Sequence, residues 1–189
     1  MKLLLSFALF VFIAVSCHTA NDPRNKIALP DTASFYPIAA FFKQQIQFVD
    51  LRNYPMYKVT VKDGKKDSAA LSGEAFLQWA DIFVQSAFAE PKQKIRYKET
   101  VFEDLSTASY TLNYTATDPD SKLRSMDILL NQETKNVKRV FIKNSYTKGD
   151  TTIEEQGSWK ADKSFRLNRV KQAPGGYHST ELNYINWNE

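Results

Sequence analysis

The second half of the chain consists of short segments in which apolar and polar residues alternate, with turn residues between them. In the segment 109–117, Tyr110, Leu112 and Tyr114 fall on one face and polar residues on the other. A period of two predicts strands with one packed and one solvated face. The predicted strands are 56–62, 95–103, 109–117, 125–130, 137–146, 152–160, 165–171 and 180–187. Because the connections after residue 91 are short, these strands are expected to form antiparallel hairpins.

Two helices are predicted before this meander. Apolar residues recur at helical spacing over 36–50, where the stripe is Ile38, Phe41, Phe42, Ile46 and Val49. A second helix is predicted to begin after Ser72, a suitable N-cap, and to end before Pro91; its stripe is Phe76, Trp79, Ala80, Phe83, Val84 and Ala87. The expected fold class is therefore α+β, with two N-terminal helices packed on a curled, mostly antiparallel sheet of about seven or eight strands. A partly closed barrel is the alternative, because sheets of this size curl strongly.

The N-terminus carries the features of an export signal. Lys2 precedes an apolar run over residues 3–15, which is too short for a permanent transmembrane helix of about 20 residues but has the length of a secretory signal core. The residues Ala14, Val15, Ser16 and Cys17 that follow resemble a bacterial lipobox, although Ala14 stands where leucine is usual. The resemblance implies that the only cysteine of the chain is acylated, and two or three acyl chains give firm anchoring. A plain secretory signal is the alternative.

The expected organisation follows from this interpretation. Residues 1–16 are a lipoprotein signal peptide, 17–30 a flexible tether and 31–189 a single α+β domain. We expect a lipid anchor at Cys17 in the cell envelope. The favoured location is the outer membrane facing the periplasm, since no Asp follows the cysteine. Surface exposure stays open.

The sequence offers little chemistry for catalysis. It has one cysteine and two histidines, and it lacks a phosphate-binding loop, a nucleophile elbow and a zinc-binding motif. His178 follows a flexible turn, and the acidic pairs Glu103-Asp104 and Glu154-Glu155 point to opposite faces of strands, so solvated charge is the favoured interpretation. Asp118 and Asp120 are typical of a turn. The expectation is a non-enzymatic protein without metal or cofactor.

Basic residues are concentrated in the meander, with ten basic and four acidic residues between Lys135 and Gln172. The possible basic patch comprises Lys138, Arg139, Lys143, Arg166, Arg169 and Lys171. It would suit an anionic lipid, an acidic glycan or an acidic protein partner, whereas nucleic acid is not expected for an exported protein. The alternative is that these residues keep the protein soluble and guard the edges of the sheet.

A binding or structural role in the envelope is therefore the expected function. The alternative is a carrier of lipid or another amphiphile in a curled-sheet cavity. The possible ligand-facing apolar residues of that cavity are Tyr110, Tyr114, Met126, Ile128, Phe141 and Trp159.

Three segments carry a resemblance to known sequences: FYPIAAFFKQQI at 35–46, KVTVKDGK at 58–65 and the helix around Trp79. Together they resemble a group of uncharacterised Bacteroidota lipoproteins with a lipobox, a helix, a strand, a second helix and a β-rich C-terminal half. The resemblance implies the same architecture and carries no activity.

Overall fold

A computed structural model describes residues 35–87 and 95–188. The residues from Phe35 onward form one compact unit. The predicted signal peptide 1–16, the tether 17–30 and the lipidation site Cys17 lie outside the described residues.

The two predicted helices are present. Helix α1 spans Ile38–Arg52 and helix α2 spans Gly73–Gln85. Ser72 caps α2 as expected, because its side-chain oxygen accepts a hydrogen bond from the Ala75 backbone N–H at 3.2 Å. Asn53 caps the C-terminal end of α1 and adopts the left-handed conformation that asparagine tolerates.

The described strands number nine, in one wholly antiparallel sheet. They are β1 (Met56–Lys62), β2 (Lys65–Leu71), β3 (Tyr97–Asp104), β4 (Ser109–Ala116), β5 (Leu123–Asn131), β6 (Val137–Lys148), β7 (Thr151–Lys160), β8 (Ser164–Ala173) and β9 (Tyr177–Asn186). The predicted α+β class is confirmed, and the predicted count of seven or eight strands is too low. The missing strand is β2, which is exposed at every position from Lys65 to Ala70 and therefore shows no alternation of apolar and polar residues.

The strand order is β2-β1-β9-β8-β7-β6-β5-β4-β3. Strands β3 to β9 form a continuous meander, and the last strand then pairs with β1, where Tyr57 lies opposite Asn186. The sheet is curled and open, with β2 and β3 at its two edges, so the barrel alternative is not what forms.

Both helices pack on one face of the sheet. The centre of the core is Trp159 on β7, whose ring lies 5.3 Å from Phe42 of α1 and 5.2 Å from Phe83 of α2, between ring centroids. Phe165, directly opposite on β8, stacks on the same indole at 4.9 Å. Each such aromatic pair stabilises the fold by about 0.5–1.5 kcal/mol beyond the area it buries. We call this side of the sheet the helix face.

The other side is the open face, which neither described helix covers. Its residues follow from strand alternation: Trp159 points to the helix face, so Ser158 and Lys160 point to the open face. The antiparallel register carries this assignment across the sheet to Arg139, Phe141 and Lys143 of β6 and to Arg166 of β8.

Candidate functional site: the open face of the sheet

The open face carries an excess of basic side chains at its centre. On strands β5 to β9 the basic residues of this face are Arg139, Lys143, Lys160 and Arg166, and the acidic residues are Asp127 and Glu154. Asp127 already accepts a hydrogen bond from Asn113 Nδ2 at 2.5 Å. The central surface is therefore positively charged and suits a partner that presents negative charge.

Three of these cations surround a small depression, which we call the basic cleft. It has a volume of about 120 Å³ and is lined by Arg139, Ser158, Lys160, Ser164, Phe165, Arg166 and Tyr184. Arg139 lies directly opposite Lys160 in the register of β6 and β7, and Arg166 lies directly opposite Ser158 in that of β7 and β8. Cross-strand neighbours on one face lie about 4.5–5.5 Å apart at Cβ, so the three side chains converge from adjacent strands.

Aromatic side chains flank the basic residues on the same face. Phe141 keeps 40% of its surface exposed, and the Arg139 guanidinium lies over its ring at 5.7 Å from the centroid. Phe102 at the β3 edge and Tyr57 on β1 are also exposed. Aromatic and arginine side chains together are typical of protein surfaces that bind partners.

The predicted basic patch is divided by the sheet rather than gathered on one face. Arg139, Lys143 and Arg166 lie on the open face, whereas Arg169 and Lys171 lie on the helix face because they are an odd number of residues from Arg166. Lys138 lies at a register shift between β5 and β6, and its Nζ donates to the Thr107 carbonyl at 3.3 Å. The prediction of a single six-residue patch is therefore corrected to a three-residue set, to which the structure adds Lys160.

Arg169 belongs instead to a buried polar cluster next to the C-terminal end of α2. Its Nε and Nη2 donate to Glu155 Oε1 at 2.9 and 2.7 Å, and the Tyr146 hydroxyl donates to the same oxygen at 3.2 Å. Asn144 Nδ2 donates to Glu155 Oε2 at 3.4 Å. Glu155 is only 2% exposed, so the interpretation of its charge as solvated is wrong. Because Glu155 is buried, loss of Arg169 would leave its charge without this ion pair, so the cluster is a structural element.

The predicted ligand-facing apolar residues do not surround a common space. Tyr114, Met126, Ile128 and Trp159 are fully buried in the core. The Tyr114 hydroxyl accepts from the Tyr36 N–H and donates to Glu99, both at 3.1 Å, and burial raises the pKa of this phenol. Tyr110 lies half-buried with Lys135 Nζ at 3.9 Å from its ring centroid, and Phe141 is on the open face. None of the six lines any of the four clefts described for the surface.

An apolar cleft that the sequence did not predict lies between the helices. It has a volume of about 520 Å³, within the usual range of small-molecule sites. Ile46, Val49 and Phe76 supply its apolar wall, and Asp50 and Glu74 bring carboxylates to it. Leu77 is 49% exposed there, which leaves apolar surface open to a ligand. We call this space the interhelical cleft.

The structure places His178 and the turn at Asp118 and Asp120 in ordinary surroundings. His178 is exposed on β9, and the Asp118 carboxylate accepts the Asp120 backbone N–H at 2.9 Å within a turn. Over residues 35–87 and 95–188, no group of three or more His, Cys, Asp or Glu side chains is arranged to hold a metal ion.

Neither helix of the described chain has the length and apolarity needed to cross a membrane. Comparison with protein families, with curated proteins and with solved structures finds no match for this chain, so the resemblance to Bacteroidota lipoproteins stays a prediction.

Proposed function

We propose that this protein is a membrane-anchored lipoprotein of the bacterial cell envelope, held by an acylated Cys17, whose domain has a non-enzymatic binding role. The observation that carries the binding role is the open face, which neither described helix covers and which places four basic side chains against two acidic ones on its central strands. A sheet face that no described element covers is available to a partner, and the charge balance favours one with negative charge.

The packed helix face supports the same proposal. Trp159, Phe83 and Phe165 fill the space between sheet and helices, so a partner would meet the outside of the domain. A rigid sheet holds the basic side chains at fixed spacing. This arrangement favours recognition of an extended negatively charged surface.

The anchor is tested by mass spectrometry of the native protein extracted gently from membranes. We expect the mature chain to begin at Cys17 and to carry the mass of a diacylglycerol with or without an amide-linked acyl chain. A chain recovered from culture fluid without that mass would overturn the envelope location.

The binding face is tested by salt-dependent retention of the full chain on an anionic phosphocellulose matrix. Lys143→Glu changes the charge of the open face, and Lys43→Glu makes the same change at an exposed position of α1. We expect Lys143→Glu to elute at clearly lower salt than Lys43→Glu, because only the first lies on the binding face. Equal shifts would mean that retention follows net charge alone and would contradict the proposal.

The second candidate function, a carrier of an amphiphile, is favoured by the interhelical cleft. Its apolar wall and its volume of about 520 Å³ suit an alkyl chain, and the nearby carboxylates of Asp50 and Glu74 suit a cationic or hydroxylated head. Lipid that copurifies in native mass spectrometry and is lost in Leu77→Glu, but retained in Leu51→Glu at an exposed position outside the cleft, would support this function. The carrier function would be excluded if no lipid copurified and no added lipid bound to the protein.

A further inference from the structure

We infer that the basic cleft is a binding site for a phosphate group. The inference rests on the proposed role of the open face in binding and names the chemistry that this face recognises. Its basis is the convergence of Arg139, Lys160 and Arg166 from three adjacent strands on one depression.

The cross-strand pairing is the first argument. Arg139 and Lys160 are direct neighbours on the same face of an antiparallel pair, so the register places two positive charges side by side. Arg166 adds a third positive charge on the next strand. An anion bound in the cleft would interact favourably with all three charges.

The donor chemistry is the second argument. Guanidinium groups bind phosphate oxygens through two parallel N–H donors, and lysine adds a compact positive charge. Ser158 and Ser164, which also line the cleft, bring hydroxyl groups. Among the described residues no carboxylate lines it, and the Asp127 carboxylate on β5 accepts from Asn113.

The size of the cleft is the third argument. A volume of about 120 Å³ is well below the 300–1,000 Å³ typical of sites that enclose a whole small molecule. The cleft therefore suits one anionic group, either free or carried by a larger molecule that stays outside. A phosphate group at the end of a lipid headgroup and free inorganic phosphate share this chemistry.

The test is isothermal titration calorimetry, in which inorganic phosphate is added to the detergent-solubilised full chain. We expect Arg139→Gln and Arg166→Gln each to weaken binding about tenfold, as loss of a charge-assisted hydrogen bond predicts. Lys143→Gln, on the same face but outside the cleft lining, should change affinity less than twofold. Arg139→Lys keeps the charge and should retain part of the affinity, which guards against loss of folding in the neutral variant.

Thermal unfolding gives a second readout. Saturating phosphate should raise the unfolding temperature of the parent more than that of Arg139→Gln, since only the parent gains the full binding stabilisation. A parent chain that binds no phosphate, or an Arg139→Gln/Arg166→Gln double variant that binds it as tightly as the parent, would overturn the inference.

A parallel titration with short-chain phosphatidic acid identifies the source of the group. If phosphatidic acid binds at least tenfold more tightly than inorganic phosphate, and the arginine variants lose this binding, the site recognises a lipid headgroup. If the two affinities are equal, the site recognises the phosphate group alone. Failure of both titrations would remove the phosphate site, while the shift of Lys143→Glu on phosphocellulose would still report whether the open face binds anions at all.

Discussion

Gly157 on β7 lies against the side chains of Phe83 on helix α2 and Ile142 on β6. A Cβ atom there would lie 2.6 Å from Ile142 Cγ1 and 2.7 Å from Phe83 Cε1, closer than packed carbon atoms approach. The absence of a side chain therefore allows Phe83 to reach the central indole. Because the neighbours are core side chains, they have little room to move.

Gly157→Ala should lower the free energy of unfolding by about 1–3 kcal/mol, the usual cost of overpacking a core. Urea denaturation of the full chain measures it. Gly73→Ala is the control, since a Cβ at Gly73 meets nothing within 4 Å. Equal stability of the two variants would show that α2 shifts freely over the sheet.

Gln45 is a buried polar residue in the apolar stripe of α1. Its Oε1 accepts from the Asp162 N–H at 2.7 Å and from Trp159 Nε1 at 3.3 Å, while its Nε2 donates to Asp162 Oδ1 at 2.7 Å. One side chain thus fastens α1 to the β7–β8 turn and satisfies the indole at the centre of the core.

Gln45→Leu should lower the free energy of unfolding by about 1–3 kcal/mol, because it leaves the Trp159 and Asp162 donors without these partners. Thermal and urea denaturation measure the change. Gln47→Leu, at an exposed position of the same helix, should be nearly neutral. A Gln45→Leu chain as stable as the parent would contradict the bridging role.

At the scale of the elements, the turn between β3 and β4 depends on one carboxylate. Asp104 accepts hydrogen bonds from the Ser106 N–H at 2.9 Å, from the Ser106 hydroxyl at 2.6 Å and from the Thr107 hydroxyl at 2.7 Å. The Ser106 and Thr107 side-chain hydrogen bonds are the main reason that the pKa of Asp104 falls to about 2.

A carboxyl pKa below the unfolded value of about 3.9 means that the folded state favours the charged form. The stability that Asp104 contributes is therefore fully present above about pH 4 and is lost as the pH falls toward 2. NMR titration of the side-chain carboxyl carbon should give a midpoint near 2, and Thr107→Val should move it toward 3.9. A midpoint near 3.9 in the parent would show that the hydroxyl contacts do not form in solution.

The elements that sequence reasoning predicted are those with a buried stripe or an alternating face, namely both helices and eight strands. Strand β2 was not predicted, because an edge strand with both faces in solvent shows no alternation of apolar and polar residues. Only its pairing with β1 defines it. The sequence alone could have shown that Arg166 and Arg169 lie on opposite faces of their strand, since they are three positions apart. It could not show which residues lie beside them. Arg139 lies opposite Lys160, and Glu155 opposite Arg169, only through the register of the sheet.

At the scale of the whole molecule, the order of the strands determines which parts of the chain depend on each other. Strand β9 lies between β1 and β8, so it joins the first hairpin to the meander. A chain ending at Gly176 lacks β9 and should lose its cooperative unfolding transition in circular dichroism, because β1 and β8 then have no common neighbour. A chain shortened only by its last residue should unfold as the parent does, and cooperative unfolding of the longer truncation would contradict this dependence.

The same placement of β9 affects how the protein reaches its native state. The contacts between β1 and β9 connect residues near opposite ends of the described chain, and contacts of such long sequence separation slow folding. Until β9 is added, the inner edges of β1 and β8 present unpaired backbone groups that invite aggregation. If the chain is exported unfolded, as its N-terminus predicts, it would need a chaperone on the far side of the membrane for longer than a protein built from local contacts.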